Sequence, residues 1–166
     1  VSLETLEAHN RDIVDKEADR YFFVRNPVEV EVSGIPDDVK ARMPLHPDEP
    51  ERGYRTPELG VEDGSTTVYI EEQDLQDGFL RLKGFCNLEI DGQTAEYVEG
   101  DHTVAVDRDA EIIHWAPVNA EEAEIITPEN ESVLGRVEKN SVQPGEVVQF
   151  ERIGFVCRDE EEKSVF

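Results

Sequence analysis

Five two-residue turn signals, Asp63-Gly64, Asp77-Gly78, Asp91-Gly92, Glu99-Gly100 and Pro144-Gly145, divide most of this chain into segments too short for long helices. Glycine adopts the positive φ that tight reversals between antiparallel strands demand, so each pair marks a place where the chain can turn back. The intervening segments are rich in β-branched and aromatic residues, and strands are predicted at 66–70, 79–83, 85–90, 94–98, 111–115, 122–126 and 147–156, with a last at 163–166. Upstream, Val28-Glu29-Val30-Glu31-Val32 alternates strictly and stops at Ser33-Gly34, the pattern of a strand with one wet face. Many short, evenly punctuated strands predict a mainly β fold made of two small β-barrels.

Two stretches break the pattern. Residues 2–18 place Leu3, Leu6, Ile13, Val14 and Ala18 on one stripe, with Ser2 as N-cap, which predicts an amphipathic helix whose apolar face needs an outside partner. From 35 to 60 the chain carries prolines at 36, 44, 47, 50 and 57, so no regular element can run far there. Within that loop Leu45-His46-Pro47 leads to Arg52-Gly53-Tyr54-Arg55, a concentration of cationic and aromatic groups that favours an ordered, functional loop. The expected organisation is a helical connector at 1–20, a first barrel at 21–116 including the loop 35–60, and a second barrel at 117–166 whose final strands can return to the first.

Charge decides the chemical class. Forty acidic residues against sixteen basic ones give a net charge of −24, spread along the whole chain. An acidic solvated surface of this kind suits molar salt, where the Debye length shrinks to about 3 Å and self-repulsion is screened. No calcium-loop pattern is present, and the histidines at 9, 46, 102 and 114 have no metal-ligand spacing, so no metal site is expected. The chain also lacks G-x-S-x-G, H-E-x-x-H, P-loop and G-x-G-x-x-G patterns, which excludes the familiar self-contained active sites; no catalytic residue is expected. Cys86 and Cys157 lie in apolar stretches and read as reduced, buried small hydrophobes. No run approaches 18 apolar residues and the N-terminus has no signal-peptide pattern, so a cytoplasmic protein without a membrane partner is expected.

The basic residues sit beside aromatic ones. Arg20 and Arg25 flank Tyr21-Phe22-Phe23, Arg52 and Arg55 flank Tyr54, Arg81 and Lys83 precede Phe85, and Arg152 and Arg158 flank Phe155. Guanidinium groups and aromatic faces are what splayed single-stranded RNA bases use, although core aromatics with ordinary surface charge beside them give the same pattern. The strand 147–156 adds Gln149 and Arg152, side chains able to pair with base edges. Strict alternation sets these two on opposite faces, so their joint use requires a bulge or twist at Gly154.

The residues Ala8-His9-Asn10-Arg11-Asp12-Ile13-Val14-Asp15, Arg20-Tyr21-Phe22-Phe23-Val24 and Leu45-His46-Pro47-Asp48 open a series that continues, in order, through Arg81-Leu82-Lys83 and Ile112-Ile113-His114-Trp115-Ala116-Pro117. It ends in Gly145-Glu146-Val147-Val148-Gln149-Phe150-Glu151-Arg152-Ile153-Gly154-Phe155. Across essentially its whole length the chain resembles the C-terminal anticodon-binding region of archaeal-type glutamyl-tRNA synthetases, relatives of the glutaminyl enzymes. The resemblance implies that two barrels hold an anticodon loop, while ATP, with magnesium, belongs to a catalytic domain outside this chain; no cofactor is expected in this segment. It implies that Arg20 contacts the first anticodon base, that Gln149 and Arg152 contact the middle uridine, and that Arg81 and Lys83 lie near the anticodon. Arg52, Tyr54 and Arg55 are further candidate RNA contacts. The expected partner is the tRNA for glutamate, with a monomeric protein. Glutaminyl or dual-specificity membership and an acidic protein-interaction module stand as alternatives.

Overall fold

The computed structural model describes residues 18–138, 142–159 and 165–166. In chain order the strands are β1 (Asp19–Tyr21), β2 (Phe23–Arg25), β3 (Pro27–Ser33), β4 (Met43–Pro44), β5 (Tyr54–Arg55), β6 (Thr66–Glu71), β7 (Gly78–Leu82) and β8 (Cys86–Asp91). They continue with β9 (Thr94–Glu99), β10 (Glu111–Ile113), β11 (Ala116–Pro117), β12 (Glu121–Ile126), β13 (Ser132–Val137), β14 (Val147–Phe150) and β15 (Gly154–Cys157). Among the described residues the one α-helix, α1 (His102–Asp107), starts at Asp101, whose carboxylate accepts the Thr103 amide at 2.9 Å, and short 3-10 turns occupy Pro50–Arg52 and Glu72–Asp74. The expected N-terminal helix lies outside the described residues. Of the last expected strand, Val165 forms one parallel bridge with Glu124.

Seven strands make the largest sheet, in the order β10-β7-β8-β9-β3-β6-β11. Its two end strands are successive in the chain, separated only by His114 and Trp115. Three Cα steps of about 3.8 Å therefore limit the gap between the sheet's ends to about 11 Å. The sheet is rolled, and a covalent link rather than hydrogen bonds spans its seam. This corrects the expectation of closed barrels: β10 pairs in parallel with β7, β11 pairs antiparallel with β6, and the two never pair with each other. The expected strand 111–115 accordingly ends at Ile113, where the chain crosses the seam. Trp115 fills the inside of the roll, 1% exposed, among Phe22, Val30, Ile70, Leu82 and Leu88.

A second unit consists of two three-stranded sheets, β12-β13-β2 and β1-β14-β15. Its core contains Tyr21, Phe23, Ile125, Val137, Val148 and Phe150. Residues 19–20, expected at the end of the helical connector, and 21–25, expected at the start of the first barrel, form strands that pair with strands from beyond residue 132. The alternation of Tyr21-Phe22-Phe23 explains why: Phe22 enters the first core while Tyr21 and Phe23 enter the second. One aromatic run fastens both cores together. Strand β13 carries no turn-bounded alternation and escaped sequence reading. Its Gly135 lies against β2 so closely that a Cβ there would meet the Val24 carbonyl oxygen and stand 2.7 Å from the Phe23 ring.

Candidate functional site

The site grows from the sheet β1-β14-β15. Val148 and Phe150 are fully buried on one face, so Gln149 between them is directed to the other. Arg20 on β1 stands directly opposite Gln149 in parallel register, and Phe155 stands opposite it on β15. Directly paired residues share a face, so Arg20, Gln149 and Phe155 form one half-buried row across three strands. The Gln149 Oε1 atom is buried and accepts no hydrogen bond among the described residues. An unpaired buried acceptor costs about 1–3 kcal/mol, and it leaves an amide ready to receive a donor.

The expected strand 147–156 is in fact a hairpin, and that resolves the alternation conflict. Residues 151–153 form the turn, with the Ile153 amide donating to the Phe150 carbonyl at 3.1 Å. Arg152 takes φ +70° at the third turn position, where a type II turn requires a positive φ, and Gly154 follows at +129°. Arg152 therefore belongs to neither sheet face. Its Nη1 donates to Asp74 Oδ2 at 2.6 Å and reaches Glu71 Oε1 at 3.4 Å.

Glu71, 1% exposed, is the hub beneath this turn. Arg25 donates to it through the backbone amide, Nε and Nη2 at 3.1–3.2 Å, Gln73 Nε2 at 2.6 Å, and His114 Nε2 lies 2.9 Å away. Burial pushes its carboxyl group up, but the hydrogen bonds from His114 and Arg25 together with the charge of His114 outweigh burial and hold it well below the usual carboxylate range. Glu71, Asp74 and His114 bring ligand atoms within 4.8 Å of one another, a spacing that could hold a metal ion. Arg152 Nη1 already bridges the two carboxylates and supplies the cation. Neither acid was singled out from the sequence. Among forty acidic residues nothing local distinguishes them, and the partner that does lies 78 residues downstream of Asp74.

Lys83 joins the same hairpin from the first unit, its Nζ donating to both oxygens of Glu151 at 2.9 and 3.0 Å. The carbonyl of Lys83 accepts the Trp115 indole N–H at 2.9 Å, which ties this residue to the seam. Arg81 is not brought to the open face. It is 6% exposed, and its Nη1 donates to Asn87 Oδ1 and the Gly100 carbonyl at 2.9 and 3.0 Å, just ahead of α1. The proline-rich loop is ordered against β1: the Arg20 amide donates to the Leu45 carbonyl at 2.7 Å, and Arg52 forms an ion pair with Asp19. Arg55 is buried, paired with Glu138, and lies over the Phe22 ring; burial pulls its guanidinium down to about 10 against the opposing charges of Glu151 and Tyr21. Tyr54 is exposed, with the Arg42 guanidinium 3.7 Å over its ring. It lines, with Tyr21, Arg55, Asn119 and Glu138, a cleft of about 620 Å³.

Cys86 is buried as expected, and burial pushes its thiol up to about 12, whereas Cys157 is exposed because β15 turns it to the outer face. Both are free thiols.

The structure thus gathers Arg20, Gln149, Arg152 and Lys83 around one hairpin at the junction of two cores. Two family models match, each described as an anticodon-binding domain of the class I tRNA synthetases for glutamate and glutamine, one over residues 18–109 and the other over 112–159. Glutamate–tRNA ligase of Pyrococcus furiosus is 42% identical over 171 aligned positions that cover 96% of this chain and 29% of the relative. The ligase of Caldivirga maquilingensis is 34% identical over 94% of the chain and 29% of the relative, and that of Methanothermobacter thermautotrophicus 40% identical over 90% and 27%. The chain therefore spans less than a third of the length of these relatives. It belongs to the anticodon-binding domain family of the class I glutamyl- and glutaminyl-tRNA synthetases.

Proposed function

We propose that this chain is the anticodon-reading part of a glutamate–tRNA ligase, which in intact form joins glutamate to its tRNA at the expense of ATP. In this reading ATP and magnesium serve a catalytic part outside these residues, and the segment itself takes no cofactor. The parent is a cytoplasmic, salt-adapted monomer.

The observation that carries the proposal is the row Arg20–Gln149 with Arg152 on the adjoining turn. The pairing edge of uracil presents an N3–H donor between two carbonyl acceptors. Gln149 Oε1, buried without a donor among the described residues, suits the N3–H, and the guanidinium groups of Arg20, its neighbour on β1, and of Arg152, on the adjoining turn, suit the carbonyls. Cytosine presents an acceptor at N3 and a donor amine, and would set acceptor against acceptor at Gln149 Oε1 and donor against donor at a guanidinium. Arg20, expected at the first base, stands next to Gln149, so first- and middle-base contacts form one continuous patch. Lys83 and Tyr54 extend it as a phosphate contact and a stacking face. Arg81, buried against Asn87 and Gly100, takes no direct part in this patch. The Gln149→Ala, Arg152→Ala double variant is expected to weaken binding of a glutamate anticodon stem-loop by about a hundredfold, at about 1–3 kcal/mol per specific contact. Unchanged binding would remove the reading and favour a protein-interaction module. Stem-loops differing only in the third anticodon base separate glutamate from dual specificity.

A further inference from the structure

Arg152 sits on a turn with φ +70°, a backbone that disfavours any side chain bearing a Cβ, so something outside the turn must hold it there. The support comes from the first unit. Asp74 and Glu71 lie 78 and 81 residues upstream, and both grip the same Nη1 nitrogen. Neither acid can swing away: their side chains are 6% and 1% exposed, and Glu71 is held in turn by Arg25, Gln73 and His114. The two acids differ in their duties. Glu71 satisfies several donors, whereas the Asp74 side chain serves Arg152 alone among the described residues. The Arg152 Nε and Nη2 groups donate to nothing among the described residues, so the grip uses one corner of the guanidinium and leaves the rest of its fork for a planar acceptor.

Buried acids beneath an RNA-binding face weaken its attraction for phosphate. Their benefit has to be geometric. We propose that Asp74, assisted by Glu71, is a positioning residue for the middle anticodon base: it fixes the Arg152 guanidinium relative to Gln149 and thereby sets the discrimination of uridine from cytidine. The inference rests on the reading of Gln149 and Arg152 as the middle-base pair. It also gives the junction between the two units a function, since the first unit aims a reader carried by the second.

The test measures affinities of the full chain for two anticodon stem-loops, with U or C at the middle position, for wild type, Asp74→Asn, Asp74→Glu, Arg152→Ala and the Asp74→Asn, Arg152→Ala double variant. Asp74→Asn is expected to cut the U-over-C preference about tenfold by weakening the U complex alone, with Asp74→Glu recovering part of it. In the Arg152→Ala background, Asp74→Asn is expected to change nothing further. A U-over-C ratio unaffected by Asp74→Asn, when Arg152→Ala abolishes it, overturns the positioning role and leaves the reading intact. A ratio unaffected by Arg152→Ala overturns both. Equal weakening of the U and C complexes by Asp74→Asn, with a lower melting temperature, also overturns the positioning role, because it marks a structural contribution only.

Discussion

Lys83 and Glu151 join the two units at the hairpin tip, the ammonium group donating to both carboxylate oxygens at 2.9 and 3.0 Å. The pair is half exposed on the lysine side, so its contribution to stability is about 0–1 kcal/mol. Its larger effect is on charge: Glu151 masks a cation at the edge of the proposed RNA face. Glu151→Gln is expected to leave the melting temperature within a few degrees of wild type. It should also tighten stem-loop binding and steepen its salt dependence by about one counterion. Denaturation scans and binding titrations across potassium chloride concentrations check both outcomes.

Glu71 gives a pH signature. Its folded-state carboxyl is held below its ordinary value, so its contribution is complete above the unfolded value of about 4.3 and is lost as pH falls toward the depressed one. Glu71→Gln leaves Arg25 without its buried counter-charge, while Arg152 keeps Asp74, and is expected to cost about 3–5 kcal/mol at pH 7. The stability gap between wild type and variant should narrow between pH 5 and pH 3, as followed by urea unfolding. A gap that stays constant over that range would contradict the assignment.

Gly135→Ala is expected to destabilise by about 1–3 kcal/mol, since the added methyl would press on the Val24 carbonyl and the Phe23 ring. Urea unfolding measures the loss. Because Phe23 belongs to the second core and Trp115 to the first, the single tryptophan reports whether the two cores unfold together.

The strands were legible wherever a glycine turn bounded an alternating run, as at Asp77-Gly78 and Asp91-Gly92. They were illegible where long-range pairing decided the outcome. β13 has Gly135 at its centre, chosen for close approach to β2 rather than for strand propensity. Whether the large sheet closes depends on the partners of β10 and β11, and the sequence between them, His114-Trp115, reads as strand continuation. The readers Gln149 and Arg152 were visible as residue types, yet their common use depended on a hairpin hidden inside an apparent strand of ten. Arg81 resembles its neighbour Lys83 in sequence, and only the packing of Asn87 and Gly100 separates a buried arginine from an exposed lysine.

With a net charge of −24, the chain is expected to bind RNA through a local face, by stacking and base-edge hydrogen bonds, with the remaining acid screened. Stem-loop affinity should change little between about 1 and 3 M potassium chloride, where Debye lengths are about 3 Å or less. A steep monotonic loss over that range would assign the binding to phosphate contacts instead.

The most direct measurement is the affinity of the chain, in molar potassium chloride, for two anticodon stem-loops identical except for U or C at the middle position. The arrangement of Gln149, Arg20 and Arg152 predicts tighter binding of the U form by about tenfold or more. Equal affinity for the two would contradict it.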